Sequence, residues 1–387
     1  SRKLSGSILT GPMLFAAVGF VIGPQVLGWV EVGISNHVIH AIAEVTLVVV
    51  LFTDAASTDF SAFRRSDNLA LRMLLVGMPL AIGLGTLAAL GLFPGWSVWE
   101  AALLAVILTP TDAALGQSVI ENETIPERIR MALGSESGLN DGLALPLVLL
   151  FAALASGGSG SGATYWLQFV GTQILLGPLA GIAIGYSGGR LVALADERGW
   201  MSEWAEGIAA MAIALGAFML AEAVDGNGFL AAFAGGLAFG KSLGRKCRFL
   251  YEFQQTEAHM LVLITFTLVG AMLLPAAMQH FTWACLLFSL FALTVMRMLP
   301  IAISVAGLRL GVHTTAFIGW FGPRGLASVL FLLIVMQSTD LARQSELLAA
   351  VALTVTLSII LHGITAAPWA KIYGRAFGDG AEGMNKN

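Results

Sequence analysis

Two short stretches set carboxylates into long apolar sequence: Leu108-Thr109-Pro110-Thr111-Asp112 and Glu136-Ser137-Gly138-Leu139-Asn140-Asp141-Gly142. A charge at bilayer depth costs at least ~2.5–3.5 kcal/mol, so residues kept there mark ion pathways or proton relays. Seven carboxylates lie in or near apolar runs: Glu44, Asp54, Asp112, Glu136, Asp141, Glu222 and Asp225. Arg297 and Arg324 are the cations that join them. Each of these charges must be paired or hydrated, because a lone buried charge costs several kcal/mol.

Spacing divides the second stretch into two helical edges. Ser137 and Asp141 stand four apart and share a face, while Glu136 and Asn140 share the adjacent one. The first edge suits an aqueous cavity. The second suits a fixed partner, for which Arg297 is the natural candidate because arginine keeps its proton. Asp112 follows a predicted helix break, where unwound carbonyls and half-helix ends supply oxygens for a hard monovalent cation. Burial favours a protonated acid and a nearby cation favours the ionised one. Such a group holds a proton or a metal ion, and that competition is an exchange mechanism once the site faces two sides in turn.

The remaining charges read differently. Asp54, in Leu51-Phe52-Thr53-Asp54, lies near a helix end and is open to a role in the site or to interfacial snorkelling. Glu44 has no motif around it and reads as packing against a polar neighbour. Glu222 and Asp225 flank the turn Asp225-Gly226-Asn227-Gly228, where solvation accounts for them. Arg324 reads as a support of a broken helix rather than a substrate contact. The six histidines fall mostly near predicted helix ends.

The elements that must position these groups follow from composition. Of 387 residues, 57% are apolar and 11% charged, which excludes an ordinary soluble domain. Apolar runs near the ~20 residues that span a bilayer predict twelve helices: 11–30, 38–56, 69–93, 99–119, 131–155, 164–189, 204–224, 227–240, 254–278, 281–307, 314–337 and 345–370. The expected fold class is therefore all-α, a polytopic membrane protein. Basic residues gather at alternate connections and at the termini, from Arg2-Lys3 and Arg64-Arg65 to Lys371, Arg375 and Lys386, whereas the other connections hold only Arg343. The positive-inside tendency then puts both ends of the chain in the cytoplasm.

Two spans are interrupted, 99–119 by Thr109-Pro110-Thr111 and 314–337 by Gly322-Pro323-Arg324-Gly325. Paired breaks in opposite halves point to the discontinuous helices of inverted-repeat transporters. The run Gly157-Gly158-Ser159-Gly160-Ser161-Gly162 reads as a flexible external loop. The cluster from Lys241 to Arg248 reads as positive-inside anchoring, with contact to anionic lipid headgroups as the alternative. Cys247 and Cys285 have no metal-ligand spacing and read as structural.

At these residues the chain resembles monovalent cation:proton antiporters of the sodium/proton exchanger type. The resemblance rests on Thr111-Asp112, Glu136-Ser137, Asn140-Asp141-Gly142, Arg297, Gly322-Pro323-Arg324-Gly325 and Asn227-Gly228-Phe229-Leu230-Ala231, and covers residues from about 10 to 372. It implies a thirteen-helix fold, here without its first helix, with inverted repeats and two discontinuous crossing helices. It implies a homodimer in the plasma (inner) membrane. An ion-translocating core, 69–156 and 281–372, would move against a dimerisation scaffold, 11–60 and 164–278. Asp141 would be the principal carrier of ion and proton. Asp112, Ser137 and Thr111 would coordinate the ion, joined by Asp54. Asn140, Glu136, Arg297 and Arg324 would support the site.

The resemblance also implies no enzyme activity and no cofactor, the substrates being protons and a monovalent cation, sodium first, with lithium and potassium the other candidates. The chain carries Asn140 where electrogenic relatives carry a second Asp, which implies electroneutral one-for-one exchange. One pH unit is worth ~1.4 kcal/mol per proton, enough to sustain about a tenfold cation gradient. Two alternatives remain at this stage. A cation channel could use the same broken helices, and an intramembrane aspartyl protease could pair Asp112 with Asp141. No Gly-x-Gly-Asp element of the protease kind occurs in the chain.

Overall fold

The computed structural model describes residues 10–29, 37–58, 68–120, 122–156, 163–243, 259–338 and 341–377. The 157–162 loop, the 244–248 part of the basic cluster with Cys247, and Arg2, Lys3, Arg64, Arg65 and Lys386 lie outside them.

The described residues form helices and turns, with no strand among them. A helical segment occupies each of the twelve expected positions. They are α1 (Gly11–Ile22), α2 (His37–Ala56), α3 (Leu69–Leu92), the broken pair α4 (Val98–Ile107) and α5 (Ala113–Ile120), α6 (Glu127–Ala155), α7 (Ala163–Glu197), α8 (Glu203–Ala223) and α9 (Gly228–Leu243). There follow α10 (Met260–Gln279), α11 (Trp283–Leu293), α12 (Val295–Ser304), the second broken pair α13 (Val312–Trp320) and α14 (Leu326–Ser338), and α15 (Gln344–Phe377). Seven described helical spans, with α11 and α12 taken together as one, are long and apolar enough to cross a membrane, and four shorter apolar helices accompany them. The protein is an integral membrane protein.

Local chemistry sets the boundaries. α1 stops at Ile22, short of residue 30, because Pro24 biases Gly23 to extended backbone (φ −69°, ψ 177°). Ser97 and Glu100 form a reciprocal capping box at the start of α4, with bonds of 2.8 and 3.2 Å. α3 and α10 each contain a π turn, Met73–Gly77 and Val269–Leu273. Each precedes an X-Pro step, at Pro79 and Pro275, where the ring removes a helical donor and crowds the carbonyl four residues back. The expected 281–307 span divides at Thr294 (φ −112°, ψ −86°) into α11 and α12.

Contacts divide the chain into two compact units. The first comprises Ser1–Asn36, Asp59–Asn140 and Leu263–Asn387. Its core includes Phe317, Phe321, Ile129, Ile301 and Tyr373, with the Phe317 and Tyr373 rings stacked at 4.1 Å. α1 runs so close to α10 that a Cβ on Gly19 would overlap the Thr267 carbonyl. The second unit comprises His37–Thr58 and Asp141–Val262. There Gly177, Gly181 and Gly185 of α7 abut the backbone of Asn227, Ala231 and Gly235 on α9. Small residues permit this backbone approach, which drives helix association where lipid supplies no hydrophobic force.

Candidate ion-binding site

The two broken helices finish each other. Pro110 has no N–H, and α4 ends ahead of it; Thr109 turns its hydroxyl back to the Ala105 carbonyl at 2.7 Å. α13 ends at Trp320, and α14 begins beyond Pro323 and Gly325. The Asp112 N–H donates to the Pro323 carbonyl at 2.8 Å. Its carboxylate serves two helix N-termini. Oδ1 accepts from Leu115 N in its own half-helix at 3.4 Å, and Oδ2 accepts from Leu326 N of α14 at 2.7 Å. A Cβ on Gly325 would overlap that carboxylate, so only glycine fits there.

Arg324 returns the service. Its Nη1 donates to the carbonyls of Thr109 and, at 3.2 Å, Pro110, beyond the C-terminal end of α4. An anion thus stands at positive helix ends and a cation at a negative one, which is how helix dipoles are stabilised. Arg324 is wholly buried and Asp112 is 9% exposed.

α6 supplies the next layer. Ser137 Oγ and Thr111 Oγ1 are hydrogen-bonded at 2.9 Å, and Asn140 Nδ2 donates to the same Thr111 oxygen at 2.7 Å. Ser137 and Asn140 therefore converge on Thr111 across one helical turn, although their spacing suggested separate edges. Glu136 and Arg297 meet as a bidentate ion pair, Nη1 to Oε1 and Nη2 to Oε2, the latter at 2.7 Å. The break at Thr294 places Arg297 in the first turn of α12.

Glu136, Asn140, Arg297, Arg324 and Thr109 line a cavity of about 10 Å³, the size that holds one water. Among the described residues, Asn140 Oδ1, Arg297 Nε, and Arg324 Nε and Nη2 have no hydrogen-bond partner.

Asp141 follows Asn140 on α6, one turn beyond Ser137, and is 7% exposed. It opens the Asp141–Val262 stretch of the second compact unit. Asp54 lies half-buried on α2 in that unit, its backbone carbonyl accepting from Thr58 Oγ1 at 2.9 Å. Glu44 on α2 is exposed. Glu222 is exposed, as the sequence reading has it, and its Oε1 also accepts from Gly228 N at 2.8 Å. With Asn227 Oδ1 accepting from Leu230 N at 2.9 Å, it caps α9.

Sequence reasoning missed Ser358 and His362 on α15. Both are buried, and both reach the second break. A legible signal existed in the polar stripe Ser358–His362–Thr365, at helical spacing within an apolar run.

The arrangement gathers oxygens and permanent counter-charges in an apolar interior, as cation binding requires. The family described as "Sodium/hydrogen exchanger, transmembrane" matches residues 1–372. The chain belongs to that family. It is a family of transporters, which sets aside the aspartyl protease alternative. The chain is 23% identical over 335 residues to the K(+)/H(+) antiporter NhaP of Alkalimonas amylolytica, covering 86% of this chain and 57% of that protein. It is 24% identical over 332 residues to the K(+)/H(+) antiporter NhaP2 of Shewanella oneidensis, covering 84% and 56%. The chain thus spans somewhat over half the length of those relatives. Its fold matches the sodium proton antiporter MjNhaP1 of Methanocaldococcus jannaschii at pH 8, with TM-score 0.74, 18% identity and coverage of 94% and 91%.

Proposed function

We propose that this exchanger trades a monovalent cation for protons by alternating access, one for one. Sodium is the first candidate; potassium is the one that the names of the two bacterial relatives raise. Asp141 is the proposed carrier, with Asp112, Ser137, Thr111 and Asp54 as ligands. Asn140, Glu136, Arg297 and Arg324 hold the frame.

The observation that carries this reading is the mutual capping of the two helix breaks by Asp112 and Arg324. It gives an oxygen-rich centre whose fixed charges can be counted. Within the first unit, Asp112 and Glu136 are set against Arg297 and Arg324, which leaves 2 − 2 = 0 net charge among these buried side chains. The proposed carrier, Asp141, then takes up one cation or one proton at a time. Carrying either is cheaper than carrying an uncompensated charge through a low-dielectric interior.

The proposed moving core is 69–156 with 281–372, and the proposed scaffold, also the homodimer surface, is 11–60 with 164–278. In support, 69–140 and 283–377 fall within one compact unit. In this conformation α1 packs with that unit too. The proposed location is the plasma (inner) membrane, and alternation of basic residues supports both ends of this chain being cytoplasmic.

The test is proton release from acid-loaded proteoliposomes on addition of sodium, potassium or lithium, across pH 6–9. Asp141→Asn should abolish the signal. Undiminished exchange in that variant would defeat the site assignment, and no exchange in the parent protein would defeat the antiport reading.

A further inference from the structure

The first helix break is held by α6, the long helix that follows it, through Ser137 and Asn140. The second break is also followed by a long helix, α15, and α15 also sends polar groups to it. Ser358 and His362 stand four apart, the same interval as Ser137 and Asp141. Their hydrogen bonds form one connected network. The Arg324 backbone N–H donates to Ser358 Oγ at 2.6 Å. Ser358 Oγ and His362 Nδ1 are 3.2 Å apart, and His362 Nε2 lies 3.0 Å from the Trp320 carbonyl.

Nδ1 also lies 3.0 Å from the Ser358 backbone carbonyl, so each ring nitrogen faces a carbonyl of a different segment, and which of the two receives the imidazole hydrogen is set by the tautomer. Trp320 is the last residue of α13, and its carbonyl accepts from Gly322 N at 2.8 Å within the break. His362 Nε2 stands against the same carbonyl, and Ser358 Oγ takes the Arg324 N–H further along the break. The Trp320 ring packs on the imidazole at 5.0 Å, and its indole N–H donates to Thr365 Oγ1 at 2.9 Å, which fixes the ring plane.

We propose that His362 is a positioning residue of transport. Through its Nε2 contact with the Trp320 carbonyl at the end of α13, and through Ser358, it holds the α13–α14 break in the register that lets Arg324 reach Thr109 and Pro110. It touches no substrate. Its effect reaches the cation through Arg324 and the carbonyls of the first break.

The inference uses the antiport reading only for its transport readout, so a second readout is independent of activity. His362→Leu removes both contacts. His362→Gln keeps a carboxamide donor for Trp320 and an acceptor for Ser358. In the full chain, His362→Leu should raise deuterium uptake across 320–326. It should also raise the apparent cation KM about threefold to tenfold, the worth of one net hydrogen bond, with little change in maximal rate. His362→Gln should restore both and keep the parent pH profile. Should His362→Leu fail to fold, Ser358→Ala weakens the same chain from its other end and should raise uptake over the same segment. Parent-like uptake and KM in His362→Leu would overturn the proposal, as would a Gln variant as damaged as Leu. A shifted pH profile in the Gln variant would also overturn it, by making the ring a titrating group. Absent exchange in the parent protein would sink the antiport reading, while the uptake measurement would still decide this one.

Discussion

Replacing Glu136 by Gln isolates the charge of the Glu136–Arg297 pair while keeping its shape. Both carboxylate oxygens are engaged by the guanidinium, and the two side chains are 5% and 6% exposed. Breaking a buried pair from one side costs about 3–5 kcal/mol, because the remaining charge has no compensation. Gln retains one carbonyl acceptor, which argues for the lower end. The second contact becomes N–H against N–H, and Arg297 then shares its cavity with Arg324 and no carboxylate. At about 2 °C per kcal/mol for a large chain, a loss near 3 kcal/mol lowers the thermal midpoint by about 6 °C. The assay is thermal unfolding of the purified protein in one detergent, followed by loss of monodisperse elution. Glu136→Gln with Arg297→Gln removes both charges and leaves an amide pair, so the double variant should melt above Glu136→Gln alone. A single variant melting with the parent, or a double variant that merely sums the two losses, would refute a compensated buried pair.

Thr111→Val deletes the oxygen on which Ser137 and Asn140 converge and should cost about 1–3 kcal/mol, read by thermal unfolding, with a raised apparent cation KM. Asp112→Asn keeps one acceptor oxygen but removes the anion from two helix N-termini; a midpoint drop equivalent to about 1–2 kcal/mol and loss of exchange are expected. Gly181→Ala drives a Cβ into the Ala231 carbonyl and should destabilise the α7–α9 contact by about 1–3 kcal/mol, seen as a lower midpoint. Trp96→Phe keeps the stack on Phe93 but loses the 2.8 Å indole bond to Glu346, so a loss of about 0.5–1.5 kcal/mol should appear in the same assay.

Much of the fold was readable because apolar runs and proline breaks are local signals. Pro110 and Pro323 remove donors wherever they stand, and both interruptions occur where the sequence places them. The end of α1 was misjudged because Val26, Leu27 and Trp29 continue the apolar composition past Gly23-Pro24, where the helix has already stopped. The split at Thr294 has no proline or glycine beside it, and its hydroxyl returns to Leu290 as in an ordinary helix. We have no physical account of that break. Within the candidate site, Glu136 and Arg297 could be matched because a buried carboxylate and a buried cation need each other. Asp112 at the start of α14 could not be read. A cap across 214 positions leaves no trace in local spacing. His362 was hidden because a single imidazole in an apolar run declares its partner only when the carbonyl it faces is known.

That long separation between Asp112 and Leu326 has a consequence during synthesis. At about 5–20 residues per second, the first interruption waits roughly 10–40 s before the segment that completes it has even been made. Until then Thr109 and Pro110 hold bare carbonyls in an oily surrounding, and Asp112 has only its own half-helix to lean on. The amino-terminal half is therefore an unfinished object by construction, one that should insert readily yet remain open to proteases and chaperones. Supplying the missing carboxy-terminal half in trans should make it resistant.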